Sequence, residues 1–181
     1  MPKTGSLLEL ASGQGQDARY FARLGYEVTA TDLVDTGLQE AKQKAEKEGL
    51  KIAFQTVDLA HSLPFADSSF DIVYSHLGLH YLDKIGTEKM FKEIQRVLKL
   101  GGILASLFNT IDDPEIYSSG FEKIEDGYYR EIAFDFKKRY FSIEDTKHFI
   151  NGLFVPLLLD NKGETYKDEI KTLIRLVAQK I

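Results

Sequence analysis

Two carboxylates frame one short stretch of this chain. Glu9 sits inside the apolar run Leu7-Leu-Glu-Leu10, just before the small-residue turn Ala11-Ser-Gly-Gln-Gly15. Asp32 closes the next patterned run, Tyr26-Glu-Val-Thr-Ala-Thr-Asp32. A turn leading into a helix can cradle many ligands, and the charges at its rim select among them. In dinucleotide sites the helix N-terminus after the turn receives pyrophosphate. Here Glu9 before the turn and Asp17 in the first helical turn would repel that group. A carboxylate at position 9 suits a ligand carrying an ammonium. A carboxylate at position 32 can accept both hydroxyls of a ribose, a role shared with nicotinamide sites, so Asp32 marks a nucleoside without choosing the cofactor.

The glycine spacing points the same way. A dinucleotide fingerprint needs Gly-x-Gly-x-x-Gly after a strand, and this run reads Ala11-Ser-Gly13-Gln-Gly15-Gln-Asp17-Ala18. Its small residues allow close backbone approach without that spacing. An ammonium at Glu9 and a ribose at Asp32 describe S-adenosylmethionine. Leu33 is placed to pack on an adenine face, Asp58 to accept from its exocyclic amine, and Leu59 to wall the ring.

Strands alternating with helices must hold these residues together. The pattern predicts strands at Ser6–Leu10, Glu27–Thr31, Ile52–Val57, Asp71–Ser75 and Ile103–Phe108. Helices are expected over Gln16–Leu24, closed by Gly25 at C′, and from an N-cap at Asp35 to Gly49, with Leu38, Ala41 and Ala45 on one face. A third helix is expected over Thr87–Leu98, with Met90, Phe91, Ile94, Val97 and Leu98 at helical spacing, stopped by Gly101-Gly102. Such alternation implies a parallel sheet with helices on both faces. Ligands bind at the carboxyl ends of its strands, where Glu9, Asp32, Asp58 and Ser75 all fall.

The last third reads differently. Residues 110–141 look irregular and hold eight aromatics, including Tyr117, Tyr128 and Phe136. Ser142 with Asp145 resembles a capping box before a helix over Ile143–Ile150. Strands follow at Leu153–Leu159 and Lys171–Gln179. Asn161-Lys-Gly is the expected hairpin turn between them, making the last strand antiparallel to its neighbours.

The chain is identified by resemblance as a member of the class I S-adenosylmethionine-dependent methyltransferases. The matching segments are Leu8-Glu-Leu-Ala-Ser-Gly-Gln-Gly15, Thr31-Asp32, Val57-Asp58-Leu59, Leu63-Pro-Phe65, Phe70-Asp-Ile-Val-Tyr-Ser75, Leu79-His-Tyr81 and Arg96-Val-Leu-Lys-Leu-Gly-Gly102. They run in the family's order over residues 6–108. The resemblance implies an α/β, Rossmann-like, seven-stranded and mostly parallel sheet with an antiparallel last strand. It implies S-adenosyl-L-methionine as cofactor, held by Glu9, Ala11, Gly13, Gly15, Asp32, Leu33, Asp58, Leu59 and Ser75. The C-terminal third more loosely resembles small-molecule methyltransferases, including the tellurite-resistance type. The expected organisation is one domain over 1–181. It has a cofactor core at 6–109, an acceptor-side insertion at 110–141, and a closing helix and hairpin at 142–181. Two departures stand out. Ala11 replaces the family's first glycine, and the first strand begins without the helices that usually precede it. The second departure motivates an alternative, a cofactor-binding module inactive alone or dependent on a partner or dimer mate. A nicotinamide oxidoreductase on the same topology is a third reading, opposed by Glu9 and the glycine spacing.

Other constellations carry less. His76 and His80 stand four apart, yet no Cys or third His completes a metal set, and none is expected. Asp17 and Asp35 read as helix-dipole or capping residues rather than ligand contacts. Lys137-Lys138-Arg139 reads as a solvated charge run, with binding of an anionic acceptor as the alternative. A thiol, selenium or tellurium acceptor needs little base help. An oxygen or nitrogen acceptor has His76, Tyr81 and Tyr117 as candidate bases, and none is assigned.

Composition bounds the rest. The 181 residues carry a net charge of −5, which opposes a uniformly basic nucleic-acid surface. There is no cysteine, hence no disulfide or thiolate site. No apolar run approaches a membrane span and no apolar signal region follows Met1, so a cytoplasmic protein is expected; a small-molecule methyl acceptor is what the resemblance and the ordered carboxylate set imply.

Overall fold

Strand alternation sends neighbours in Leu7-Leu-Glu-Leu10 to opposite faces, and each face builds half of the core. Leu8 and Leu10 join Val73, Leu104 and Phe108 on one side, while Leu7 joins Val28, Ala30, Ile72 and Ile103 on the other. Glu9 shares the parity of Leu7. The computed structural model describes residues 4–164 and 173–181. The expected strand start at Lys171 lies outside the described residues.

The strands are β1 (Ser6–Leu10), β2 (Glu27–Asp32), β3 (Ile52–Thr56), β4 (Phe70–His76), β5 (Leu98–Asn109), β6 (Phe121–Glu125), β7 (Tyr128–Glu131), β8 (Phe136–Arg139), β9 (Phe154–Gly163) and β10 (Leu173–Lys180). Seven form the main sheet, in the order β3-β2-β1-β4-β5-β10-β9. The strands from β3 across to β5 pair in parallel, and β10 is antiparallel to both β5 and β9. The expected sheet, with its reversed last strand, is the one the chain builds. The helices are α1 (Gln16–Arg23), α2 (Asp35–Lys47), α3 (Lys84–Val97) and α4 (Ile143–Ile150). Ala18 and Phe21 of α1 pack on the Leu7 face, and Met90, Phe91, Phe149 and Ile150 of α3 and α4 pack on the Leu8 face.

Several boundaries differ from expectation, each for a local reason. Asp35 is the first residue of α2, not its N-cap, which is Val34. Asp32 sets that turn by accepting the Val34 N–H, while Asp35 accepts from Thr56 Oγ1. The α3 helix starts at Lys84, because the Asp83 carboxylate caps the Gly86 N–H. It then runs directly into β5, so Gly101-Gly102 lie inside a strand beside a register shift rather than at a helix stop.

The largest correction concerns residues 110–141, which are not irregular. A short 3-10 turn over Pro114–Tyr117 leads into an antiparallel sheet of β6, β7 and β8. Asp126-Gly127 turns its first hairpin, a two-residue signal of known strength. The sheet is pinned by Arg139, which is buried, binds Glu125 and donates to the carbonyls of Leu82 and Asp126. The charge run at 137–139 is therefore solvated only in part. Likewise Asn161-Lys-Gly163 remains within β9 and does not turn the hairpin.

The capping box at α4 is present in full, since Ser142 Oγ accepts the Asp145 N–H at 2.9 Å and Asp145 accepts the Ser142 N–H at 3.2 Å. Removing the hydroxyl leaves a helix donor unpaired. Ser142→Ala is expected to cost about 1 kcal/mol, read as a lower urea midpoint. An unchanged midpoint would show that α4 is held by packing alone.

Candidate active site

The turn after β1 is drawn tight by backbone and carboxylate. Ser12 N–H donates to the Thr31 carbonyl, Gly15 N–H to the Ser12 carbonyl, and Gly13 N–H to Asp32 Oδ2, each at 2.8 Å. Three residues hold positive φ: Ala11 at 57°, Gly13 at 51° and Gly15 at 64°. Glycine suits that conformation, whereas an alanine there costs roughly 1–2 kcal/mol. The Ala11 methyl lies over Gly78, where an added β-carbon would come within 2.5 Å of it.

At the carboxyl ends of the strands lies a cavity of about 1100 Å³. This is room for a ligand of cofactor size, since drug-sized ligands occupy pockets of roughly 300–1,000 Å³. Its wall includes Glu9, Ala11, Gly13, Asp32, Leu33, Asp58 and Leu59. Gly15 and Ser75 stand behind that wall. Gly15 is the N-cap of α1 and sits against Ala41. Ser75 is buried, and its hydroxyl donates to the Leu10 carbonyl at 3.0 Å.

Each wall carboxylate is differently engaged. Glu9 is 3% exposed, and its Oε2 has no hydrogen-bond partner among the described residues. Burial, then the neighbouring charges of Asp17 and Asp32, push its pKa up to about 8, against a counteracting hydrogen bond from the Ala18 backbone. Asp32 accepts from Gly13 N–H and Val34 N–H, one on each oxygen. Asp58 accepts the Ala60 N–H at 2.8 Å, and its other oxygen lies 3.1 Å from His61 Nδ1.

Asp17 proves more than a dipole partner. Its Oδ2 accepts the Tyr74 hydroxyl at 3.0 Å and lies 3.2 Å from His76 Nδ1, and both Asp17 and His76 line the cavity. The hydrogen bond to His76, then that to Tyr74, holds its carboxyl below the usual range against the opposing effect of burial. Sequence signals for this group existed. Ile72, Tyr74 and His76 alternate on β4, and Tyr74 is in register with Glu9 on β1. The parity that sends Glu9 toward α1 sends these side chains the same way.

The opposite wall is aromatic. Tyr81 and Phe136 meet edge to face at 5.2 Å, with His80, Tyr128, Lys137 and Lys138 also lining the cavity. Burial, then the Asp32 charge, raises the Tyr81 pKa. Tyr117 lies elsewhere, exposed, with its hydroxyl on the Ile111 carbonyl. His76 and His80 do not form a pair: one binds Asp17, and the other is buried against Tyr81. Among the described residues, no group of three or more metal-ligating side chains is assembled, and no helix is long and apolar enough to cross a membrane.

Comparison with known proteins matches residues 8–106 to the family described as a methyltransferase domain. An uncharacterized methyltransferase of Synechocystis sp. is 32% identical over 99 residues, covering 55% of this chain and 44% of that protein. The chain spans between about a third and less than half of the length of the curated relatives it matches. A solved S-adenosylmethionine-dependent methyltransferase from Methanosarcina mazei superimposes with a TM-score of 0.87 at 22% identity, covering 100% of this chain and 94% of that one. The 1,6-didemethyltoxoflavin-N1-methyltransferase of Burkholderia thailandensis, solved with 1,6-didemethyltoxoflavin and S-adenosylhomocysteine, gives a TM-score of 0.77 at 18% identity. That match covers 98% of this chain and 72% of that one.

Proposed function

Since the chain belongs to the class I S-adenosylmethionine-dependent methyltransferase family, we propose that it takes S-adenosylmethionine along the carboxyl edge of its sheet and methylates a small-molecule acceptor. The observation that carries this reading is Glu9, whose buried Oε2 has no hydrogen-bond partner among the described residues. A buried carboxyl oxygen calls for a donor, and the amino group of the cofactor's methionine supplies one with a charge. The other groups fit in order along the edge. A carboxylate offers about four lone-pair sites, so Asp32 keeps capacity for the ribose hydroxyls beyond its two backbone bonds. Leu33 and Leu59 flank the adenine and Asp58 faces its amine. Gly15 and Ser75 contribute from behind, as the bend and the strut of the turn.

When bound, the sulfonium supplies an activated methyl group. The protein's part is to align the acceptor and exclude water, which contributes on the order of 7–11 kcal/mol in favourable cases. The aromatic wall of Tyr81, Tyr128 and Phe136, with the small sheet behind it, is the acceptor side. A neighbour of the same fold holds a small acceptor and the spent cofactor together, which supports the small-molecule reading.

Calorimetric titration with S-adenosylmethionine and S-adenosylhomocysteine tests the proposal. Folded protein that binds neither would sink it. Asp32→Ala is expected to weaken binding at least about tenfold, the scale of one charge-assisted hydrogen bond. Unchanged affinity would place the ribose elsewhere.

A further inference from the structure

We propose that His76, held by Asp17, is the proton acceptor of the reaction, and that the methyl acceptor is therefore a protic O–H or N–H group. The inference rests on the cofactor reading above. The geometry starts with the end of β4, where His76 is 38% exposed and lines the same cavity as Glu9 and the aromatic residues. Its Nδ1 lies 3.2 Å from Asp17 Oδ2, which also receives the Tyr74 hydroxyl. An ionised carboxylate only accepts, so the proton of this hydrogen bond sits on Nδ1. In the neutral ring that places the lone pair on Nε2, and His76 is one of the residues lining the cavity. A carboxylate that fixes the tautomer and later neutralises an imidazolium is the arrangement a histidine base requires.

Among the described residues, the side chain hydrogen-bonded to the imidazole is Asp17. Asp17 comes from α1 and Tyr74 from the same strand, and the Asp17 charge in turn helps to raise the pKa of Glu9 on β1. The hydrogen bonds from His76 and Tyr74 keep Asp17 ionised, which favours the tautomer described. The proton balance is simple. As the acceptor's lone pair bonds to the methyl carbon and the S–CH₃ electron pair returns to sulfur, the acceptor's proton passes to Nε2. It leaves later to water, and Asp17 stays charged throughout. A thiolate or telluride would have no proton to give, and the dyad would be idle.

The test begins without turnover. Long-range proton–nitrogen correlation on ¹⁵N-histidine protein with S-adenosylhomocysteine, assigned by His76→Gln, is expected to show Nδ1 protonated and Nε2 bare. Asp17→Asn is expected to abolish that preference. Calorimetry on His76→Gln is expected to give S-adenosylmethionine affinity within threefold of the parent. An Nε2-protonated ring overturns the assignment. So does a tenfold loss of cofactor affinity in His76→Gln, because the imidazole would then be a cofactor ligand. Loss of all cofactor binding by the parent protein instead overturns the cofactor reading, and the tautomer still reports on the dyad. Turnover is then followed with radiolabelled methyl donor and three probes: catechol, benzylamine and 2-mercaptoethanol. Methylation of a protic oxygen or nitrogen probe, reduced at least about a hundredfold in His76→Gln, is the expected result. Turnover of the thiol alone, of none of the probes, or equal turnover in the variant each overturns it.

Discussion

Replacing Glu9 by glutamine is expected to stabilise the protein in alkali while weakening cofactor binding. The carboxyl group is buried, and its pKa rises from an ordinary 4.5 to about 8. Between those values the folded state holds a proton that the unfolded chain has lost. For an acid with a raised folded pKa, stability is therefore fully present below about 4.5. It declines as pH rises toward 8 and levels off beyond. At about 1.4 kcal/mol per pH unit the whole window amounts to roughly 5 kcal/mol as an upper bound. Glutamine keeps the shape and the bond from Ala18 but cannot ionise. At pH 9, Glu9→Gln should exceed the parent by about 3–5 kcal/mol, a melting point higher by roughly 10 °C, and near pH 5 the two should converge. Parallel melting curves at both pH values would show that the carboxyl group is not desolvated.

On the proposed reading, the same substitution removes the charge that would meet the cofactor's ammonium. Binding of S-adenosylmethionine to Glu9→Gln should be at least about tenfold weaker at pH 8. Parent affinity should rise about tenfold per pH unit from roughly pH 6 to 8, as Glu9 gives up its proton on binding. Above that it should fall, because an α-amino group has an ordinary pKa of about 8. The variant should lack the rising limb. Titration across pH separates this from simple loss of packing, which would lower both limbs equally.

The second large effect is expected at Gly78. A β-carbon there would stand 2.5 Å from the Ala11 methyl, 2.6 Å from Ser75 Oγ and 2.8 Å from the Leu10 carbonyl. Two of these neighbours belong to the β1 turn, and Ser75 is tied to it by a hydrogen bond. None is the free end of a flexible side chain. Gly78→Ala should cost about 3 kcal/mol or more, at the upper end for overpacking, measured by urea unfolding. Ala11→Gly alone should change stability by no more than about 1 kcal/mol, since relief of positive φ offsets the extra freedom of the unfolded chain. In the double variant part of the loss should return, because one contact is removed and two remain. A purely additive pair would mean that the two residues do not press on one another.

The pairing of Ala11 with Gly78 explains the departure at the first turn position. Ala11 occupies a conformation that favours glycine, with φ at 57°. Its methyl finds space because residue 78 contributes none. The strain is local, and the backbone course of the turn is retained.

What the sequence determined by itself is the local and the periodic. The apolar run with Glu9 inside it, the small-residue turn, the face of Leu38, Ala41 and Ala45, and the capping box at Ser142 follow from neighbours within a few residues. Their order along the chain implied the sheet and its ligand edge, and seven of the nine expected residues (Gly15 and Ser75 apart) line one cavity. Tertiary structure decided what depends on distant neighbours. The small sheet was hidden because its strands are short and charged, and its order comes from Arg139 reaching Glu125 and the Leu82 carbonyl. Asp17 passed for a dipole partner until Tyr74 and His76, almost sixty positions away, were brought onto one of its oxygens. Glu9 was legible as a charge near a turn. Its unusual proton affinity arises only when α1 closes over it, because desolvation belongs to the packed molecule and not to the residue.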